Sequence, residues 1–374
     1  MWRARHRVPG GKEEARHFRT RAEAEVWDEE QKRRVRRGEW LDPAASRITI
    51  GELWPMWLDS RSIKPKTRAD YESLWATCVA PTWECTRIDQ VAPMAVQTWV
   101  SGLVSQGGRP LSASRRIQAH GLLAKILDAA VNDGRVLRNP ARAGVTSGRG
   151  GYLPRINRNQ RRRYLTHAEV ERLAEVAGDS GDLILTLAYC GLRWGEAAAL
   201  HVGDVDLMRG RLHIQGSVAE VHGALVYGST KTHQTREVVI PAFLRDRLMA
   251  RVAGKGQDAL VFTTSGGAPL RLPNFTRRVF RKALDAAGIE PMKIHDLRHT
   301  AAGLAIDSGA NVKGVQRMLG HKDASMTLNT YADLFDGHLD AVADRLDAAR
   351  SEALADRTRT GPGDLVSFRG VEAS

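Results

Sequence analysis

The chain has 374 residues, of which 42% are hydrophobic and 26% are charged, and this length is sufficient for roughly two or three domains with separate cores. Its formal net charge of +13 favours a polyanionic partner, nucleic acid first and an anionic membrane surface second. The scattered cysteines Cys78, Cys85 and Cys190 exclude a disulfide framework, and no apolar stretch approaches the roughly 20 residues of a membrane span. The N-terminus lacks the apolar run of a signal peptide, so we expect a cytoplasmic, nucleoid-associated protein with no membrane partner.

The first segment, residues 1–43, is predicted to be a small β-hairpin followed by a helix. "WRARHRV" and "EARHFRT" flank the turn-forming "PGGK", and "RAEAEVWDEEQKRRVRRGEW" has the composition of a charged helix. Residues 1–40 hold twelve Lys or Arg against eight Asp or Glu. Two interpretations remain open here, a solvated hairpin and helix or a small DNA-binding module.

The second segment, residues 47–145, has the apolar periodicity of a helical domain. It begins near "ITIGELWPMWL" and continues through "TRADYESLWATCVAP", "MAVQTWVSGLVSQ" and "SASRRIQAHGLLAKILDAAVNDG". Large apolar side chains recur at helical spacing and are predicted to form its core: Trp54, Trp57, Leu58, Leu74 and Trp75.

A basic linker is predicted over residues 146–163. Residues 135–163 contain nine arginines and no Asp, Glu or Lys, together with several glycines and prolines. A disordered tether is one interpretation. A strap along a phosphate backbone explains the absence of acidic residues better.

The third segment, residues 164–350, is predicted to be a mixed helical and β domain. Thr166 and Glu169 have the spacing of a capping box at the start of a helix. A long apolar helix over "DLILTLAYCG" precedes three strand-like runs, "RLHIQGSV", "ALVYGS" and "REVVIP", after which helical patterns resume. Residues 351–374 are predicted to be a disordered tail. The predicted fold is therefore multidomain and mainly α with small β elements, and its catalytic domain is α+β.

Isolated polar residues stand beside the apolar helices of this third segment. Two arginines can each clamp a phosphate, a lysine and two histidines can move protons, and a tyrosine phenol can attack phosphorus. No carboxylate cluster accompanies them, so Mg²⁺ is not indicated and no cofactor is expected. The set, suited to metal-free attack on a phosphodiester, is Arg193, Lys231, His295, Arg298, His321 and Tyr331.

A zinc site is the alternative for the histidines of "HDLRHT". His295 and His299 are four residues apart on one helical face. A hydrolytic zinc helix has Glu after its first His, however, and here Asp296 stands at that position. His321 would have to supply the third ligand, and Arg298 would lie unfavourably beside the cation, so zinc is disfavoured.

"CGLRWGEAAAL", "HDLRHT", "LGH" and "TYADL", in that order, resemble the active-site boxes of the tyrosine recombinases, in the phage-integrase branch. The resemblance covers about residues 166–349 and is specific because the boxes occur together. The "TKTH" segment with Lys231 resembles that family's lysine between strands. The helical second segment resembles the core-type DNA-binding domain, and the first resembles the arm-type domain through "WRARHRV" to "FRTRAEAEVW".

The resemblance implies a role for each residue in DNA cleavage. Tyr331 attacks the scissile phosphate, forms a 3′-phosphotyrosyl bond and releases a 5′-hydroxyl. Arg193 and Arg298 bind the non-bridging oxygens and stabilise the transition state. Lys231 is the general acid for the leaving 5′-oxygen.

The remaining polar residues are assigned to proton transfer and support. His295 is the implied general base for the phenol, and His321 hydrogen-bonds the phosphate. Glu196 supports Arg193. His299 and Asp296 are expected to brace the helix.

The implied function is that of a site-specific recombinase of a prophage or mobile element, which needs neither metal nor ATP. Its expected partners are double-stranded DNA at core-type and arm-type sites, three further copies of the chain in a homotetramer, and DNA-bending and directionality proteins. The alternative is a DNA-binding or type IB topoisomerase-like protein on the same scaffold. The presence of all the expected catalytic residues argues against a DNA-binding protein without catalytic activity. The arm-like domain argues against a plain topoisomerase.

Overall fold

The computed structural model divides the chain into two compact units, Met1–Gln160 and Arg161–Ser374. The boundary falls inside the linker predicted over residues 146–163. The separation of residues 1–43 from 47–145 stays a prediction, because residues 38–44 are among those not described. The structure describes residues 1–7, 13–37, 45–144, 151–156, 163–229, 235–336 and 339–359.

The predicted N-terminal hairpin and helix are confirmed. Strands β1 (Trp2–Arg7) and β2 (Glu13–Phe18) pair antiparallel, and α1 (Arg21–Arg36) follows after a capping box between Thr20 and Glu23. The turn "PGGK" lies outside the described residues.

The two faces of this hairpin differ because side chains alternate along a strand. One face packs on α1, where the Phe18 and Trp27 rings lie 5.8 Å apart and His6 Nδ1 lies 3.3 Å from a carboxylate oxygen of Asp28. The opposite face carries Arg3 and Arg5, both exposed to solvent. The hairpin therefore presents one basic face to solvent, and its other face packs on α1.

The remainder of the first unit is helical, as predicted. The five core residues expected from sequence are all buried, and the Trp54 and Trp75 rings stack at 4.8 Å. A π-helical turn, Trp75–Val79, joins the third helix to the fourth. The helices are α2 (Ile50–Asp59), α3 (Pro65–Leu74), α4 (Ala80–Trp83), α5 (Pro93–Gly102) and α6 (Ala113–Asn132).

The basic linker is anchored where it is described. The Tyr152 hydroxyl donates to the carbonyl of Ala141 at 3.1 Å and lies 2.8 Å from His120 Nε2. Leu153 is partly buried against the helical core. A free tether is therefore wrong for these residues, because Tyr152 and Leu153 bury apolar surface in the first unit. Residues 145–150 and 157–162 lie outside the described part.

The second unit contains ten helices among its described residues. The predicted capping box of Thr166 and Glu169 is present at the start of the first of them. The helices are α7 (His167–Val176), α8 (Gly181–Cys190), α9 (Trp194–Ala197), α10 (Ala242–Val252), α11 (Leu272–Phe275), α12 (Arg281–Ala286), α13 (Ile294–Asp307), α14 (Val312–Leu319), α15 (Ala324–Asp336) and α16 (Leu339–Arg359).

The three strand-like runs form strands, and the strands on either side of residues 230–235 pair with different partners. The strands are β3 (Val205–Asp206), β4 (Arg211–Ile214), β5 (Gly216–Val221), β6 (Ala224–Ser229) and β7 (Arg236–Val239). Strand β7 pairs with β4, whereas β6 pairs with β5.

Lys231 was expected between two strands, and its position falls in the interval between β6 and β7. Residues 230–235 separate Ser229 from Arg236, whereas only Gln215 separates their partners Gly216 and Ile214. Lys231 belongs to residues 230–234, which are not described.

The core of the second unit surrounds α8, whose side chains are buried on nearly every side. Helix α13 packs against α8, and this contact brings the "HDLRHT" segment next to "CGLRWGE". The predicted tail is corrected at its start, because α16 continues to Arg359; residues 360–374 lie outside the described part. Of the helices in the described ranges, none has the length and apolar character needed to cross a membrane.

Candidate active site

Glycines end the two helices, α8 and α14, that precede the site residues Arg193 and His321 in the sequence. Gly191 ends α8 with φ +64 and Gly320 ends α14 with φ +63, the left-handed conformation that glycine adopts without strain. A Cβ on Gly191 would lie 2.8 Å from Leu319 Cδ2. The ends of α8 and α14 can therefore approach closely; His321 directly follows Gly320, and Arg193 lies two residues after Gly191.

Glu196 is the buried centre of the cluster, with 2% of its surface exposed. Its carboxylate accepts from the backbone N–H and from Nη1 of Arg193, both at 2.8 Å. It also accepts from Arg236, Nη1 at 3.0 Å and Nη2 at 2.7 Å. Burial alone would raise the pKa of Glu196, but the hydrogen bonds and charge of Arg236, and then those of Arg193, lower that pKa to about 2.

Arg236 was not identified from the sequence. Besides Glu196, its Nε donates to the carbonyl of Met318 at 3.3 Å, so the side chain connects β7, α9 and α14. Its signal in the sequence is weak, since an arginine at the start of a strand is usually exposed. Only the tertiary structure reveals that its side chain is 11% exposed and paired.

Arg298 lies on α13, 3% exposed, and donates to two backbone carbonyls. Nη1 donates to Gly191 at 2.6 Å, and Nη2 donates to Leu319. Burial, followed by the charge of Arg193, lowers the pKa of Arg298 to about 9, while Glu196 acts in the opposite direction. Arg298 is thus still a cation at neutral pH.

His321 has both its ring and its backbone held. Its Nδ1 lies 2.9 Å from the Thr327 hydroxyl, and its carbonyl accepts from Gln316 Nε2 at 3.2 Å. Burial, and then the positive charges of Arg298 and Arg193, lower the pKa of His321 to about 4. The ring is neutral at pH 7, and when Thr327 donates to Nδ1 the ring hydrogen is on Nε2.

Tyr331 is 1% exposed and lies at an interruption of α15, where its backbone has φ −131 and ψ 16. Its hydroxyl is 2.8 Å from Nδ1 of His299, and the residue belongs to a buried cluster that includes Ala302 and Ile306 of α13. His299 was expected to brace the helix, and the structure shows in addition that its ring contacts the phenol. Asp296 does brace the start of α13, where its carboxylate accepts from the backbone N–H of the N-cap residue Lys293 at 2.7 Å.

The predicted site residues on the described segments gather at the ends of α8 and α14 and on α13 and α15. His295 lies on α13 one turn before His299, and their rings meet edge to face at 5.2 Å. Lys231 lies outside the described residues. In the part of the chain that the structure describes, no group of three or more His, Cys, Asp or Glu could hold a metal ion.

A cleft of about 440 Å³ opens beside this cluster. Its wall includes the site residues Arg236 and His321 and the further basic residues Arg317 and Lys322. The acidic Glu237 also lines the cleft, so the positive charge of its wall comes mainly from Arg317 and Lys322.

Comparison with known proteins connects this arrangement to a family. Residues 163–338 match the Phage integrase family. The chain is 28% identical over 342 residues to the prophage phiRv2 integrase of Mycobacterium tuberculosis, covering 87% of each chain. It is also 28% identical over 332 residues to the integrase of Mycobacterium phage D29, covering 84% of each.

Solved structures support the fold. The Tn1549 transposon integrase in complex with transposon right end DNA superposes with a TM-score of 0.66 at 19% identity, over 79% of this chain and 100% of that one. A lambda integrase dimer bound to a COC′ core site gives 0.56 at 19% identity, over 87% and 90%. A lambda integrase tetramer bound to a Holliday junction gives 0.54 at 20%, over the same shares. The mainly helical, multidomain fold expected from the sequence is thus confirmed.

Proposed function

Because the chain belongs to the phage integrase family of tyrosine recombinases and acts on DNA as a site-specific integrase, we propose that Tyr331 cleaves and rejoins DNA through a 3′-phosphotyrosyl bond. The observation that carries this proposal is the burial of a hydrogen-bonded phenol within one cluster of cationic and imidazole groups. Arg193, Arg298 and His321 supply that cluster.

The chemistry balances without a metal or a nucleotide. The phenol oxygen of Tyr331 forms a bond to phosphorus, the bond from phosphorus to the 5′-oxygen breaks, and the phenol proton passes to a histidine of α13. Lys231 supplies a proton to the departing 5′-oxygen. The phosphotyrosyl bond retains the energy of the phosphodiester, so the 5′-hydroxyl of a partner strand can reverse the step.

The two arginines neutralise the phosphate in different ways. Arg193 is oriented by Glu196, which holds its backbone N–H and one end of its guanidinium. Arg298 is fixed by the carbonyls of Gly191 and Leu319. Donors held in this way cost no reorganisation when charge develops on the non-bridging oxygens. His321, neutral at pH 7, adds a hydrogen bond through Nε2 without a further positive charge.

The test is covalent trapping on a duplex nicked close to the cleavage point. The full-length chain is expected to form a protein–DNA adduct, and Tyr331→Phe is expected to bind the duplex equally well and form none. An adduct that persists in Tyr331→Phe would assign the nucleophile elsewhere. Strand exchange between two duplexes then separates the proposal from the topoisomerase-like alternative, which would relax supercoils without exchanging strands.

The N-terminal hairpin is proposed to bind a second, arm-type DNA site. Arg3 and Arg5 are exposed on one face, and His17, the partner of Arg3 across the strands, is exposed beside them. A two-stranded ribbon fits the major groove, where arginine reads guanine.

The variant Arg3→Ala/Arg5→Ala tests this proposal. It should cleave a core half-site normally and recombine full attachment sites poorly. Equal recombination by variant and parent at matched salt would leave the hairpin a supporting role only.

Assembly as a tetramer on DNA is proposed to use α16. Its Leu346 and Leu354 are 67% and 43% exposed in the single chain. Docking on a neighbouring copy would remove this apolar surface from water. Leu346→Glu/Leu354→Glu should bind half-sites as the parent does but lose the mass of the four-chain complex. An intact tetramer would mean that α16 packs within its own chain.

DNA-bending and directionality proteins remain proposed partners of the assembled complex.

A further inference from the structure

We propose that His299, rather than His295, is the general base that takes the proton from Tyr331. The inference rests on the proposed function, since it assigns a role within that reaction. The carrying observation is the 2.8 Å separation of His299 Nδ1 and the Tyr331 hydroxyl. A base has to be within hydrogen-bond reach of the proton it removes, about 2.6–3.2 Å between heavy atoms.

Burial makes a nearby acceptor necessary. A tyrosine has a reference pKa of about 10, so at neutral pH almost none of it is the nucleophilic phenolate. With Tyr331 only 1% exposed, bulk water has poor access to the hydroxyl. A side chain in contact with the phenol is therefore the natural proton acceptor, and the His299 imidazole is in contact.

The pair is held by structure on both sides. His299 follows Arg298, whose guanidinium ties α13 to the carbonyls of Gly191 and Leu319. Tyr331 belongs to one buried apolar cluster with Ala302 and Ile306 of α13, the helix that carries His299. Neither ring can move far without disturbing buried contacts, so the geometry is preorganised.

His295 has a different place in the cluster. Its ring lies edge to face with that of His299 at 5.2 Å, one helical turn away. This contact supports the orientation of the His299 ring. We therefore assign His295 as a positioning residue for the phenol's proton acceptor, in place of the base role that the resemblance implied.

The proposed proton transfer requires one particular tautomer of His299. For Nδ1 to accept, the resting hydrogen of His299 is on Nε2. In cleavage the proton moves from the Tyr331 oxygen to Nδ1 as that oxygen bonds to phosphorus, while Lys231 protonates the 5′-oxygen. In religation the imidazolium returns the proton to Tyr331, so the histidine ends unchanged.

The experiment measures single-turnover adduct formation on the nicked duplex with full-length protein. His299→Ala, His299→Asn and His295→Ala are each prepared with tyrosine or with 2,3,5-trifluorotyrosine at position 331. Fluorine lowers the pKa of the phenol and so reduces its need for a base. We expect His299→Ala to slow the reaction about 10²–10⁴-fold, and trifluorotyrosine to recover most of that loss.

His299→Asn is the decisive control, because an amide can hydrogen-bond the phenol but cannot take its proton. We expect it to be nearly as slow as His299→Ala, to bind DNA normally, and to be rescued by trifluorotyrosine. Cleavage at the parental rate in His299→Asn would reduce His299 to a positioning residue. Rescue by trifluorotyrosine in His295→Ala and not in the His299 variants would return the base role to His295. If His299→Ala fails to fold, His299→Asn decides alone. Absence of any adduct in the parent would instead overturn the proposed function.

Discussion

Glu196 and Arg236 form a two-point ion pair that joins β7 to the short helix after Arg193. Arg236 Nη1 donates to Glu196 Oε1 at 3.0 Å and Nη2 donates to Oε2 at 2.7 Å, and the Glu196 and Arg236 side chains are 1% and 11% exposed. Glu196 also accepts a hydrogen bond from Arg193, so a single carboxylate connects Arg236 to Arg193. Arg236 is five residues after Lys231 in the sequence.

Arg236→Ala should therefore weaken both the fold and the reaction. Removing one partner of a buried pair costs about 3–5 kcal/mol, and we expect the lower end of that range because Arg193 still neutralises Glu196. Urea unfolding gives the loss, and hydrogen exchange should place it in β7 and α9. Arg209→Ala is the matched control, since that side chain is 83% exposed. An equal, small effect of both substitutions would contradict the structural role of the pair.

Arg193→Lys and Arg298→Lys should each cripple cleavage while DNA affinity changes little. Lysine keeps the charge but lacks the planar fork, so one amine cannot hold the support and the phosphate together. Loss of one preorganised donor lowers the rate by about 10²–10³. Single-turnover adduct formation measures this. Near-parental cleavage by either variant would remove that arginine from the site.

Gly320→Ala should disturb Arg236 through a steric clash. A left-handed backbone costs an L-residue about 1–2 kcal/mol, and a Cβ there would lie 2.8 Å from Arg236 Cδ. Gly288→Ala is matched for the backbone, with φ +64 and nothing within 4 Å of the added carbon. We expect similar backbone strain in both variants but loss of cleavage only in Gly320→Ala. Equal cleavage by the two would mean that Arg236 can move without consequence.

The stability of the second unit should fall as the pH falls from about 6.5 to about 4, and His321 should cause part of that fall. Its folded pKa, about 4, is below the unfolded value of 6.5, so the unfolded chain binds more protons within this window. Glu196 adds to the loss only near the lower end of this window, because its pKa is about 2 in the folded chain and 4.5 in the unfolded chain. Urea midpoints of His321→Asn should depend on pH less steeply than those of the parent. Parallel curves for the two proteins would contradict the lowered pKa.

The sequence by itself determined the elements whose causes are local. The capping box of Thr166 and Glu169, the N-terminal hairpin and the amphipathic helices depend on residues a few positions apart, and each is present. The active-site boxes were likewise recognisable, because their short patterns occur together and in order. Lys231 remains a prediction from that pattern alone.

The tertiary structure decided which distant residues meet. Arg236 is 40 residues from Glu196 in the chain, and His299 is 32 residues from Tyr331. Whether Arg236 is a solvated strand residue or half of a buried pair depends on where α14 and α9 lie. Which histidine of "HDLRHT" meets the phenol depends on the rotation of α13 against α15. Helix packing sets both relationships, and packing is a sum of many long-range contacts that local patterns do not encode.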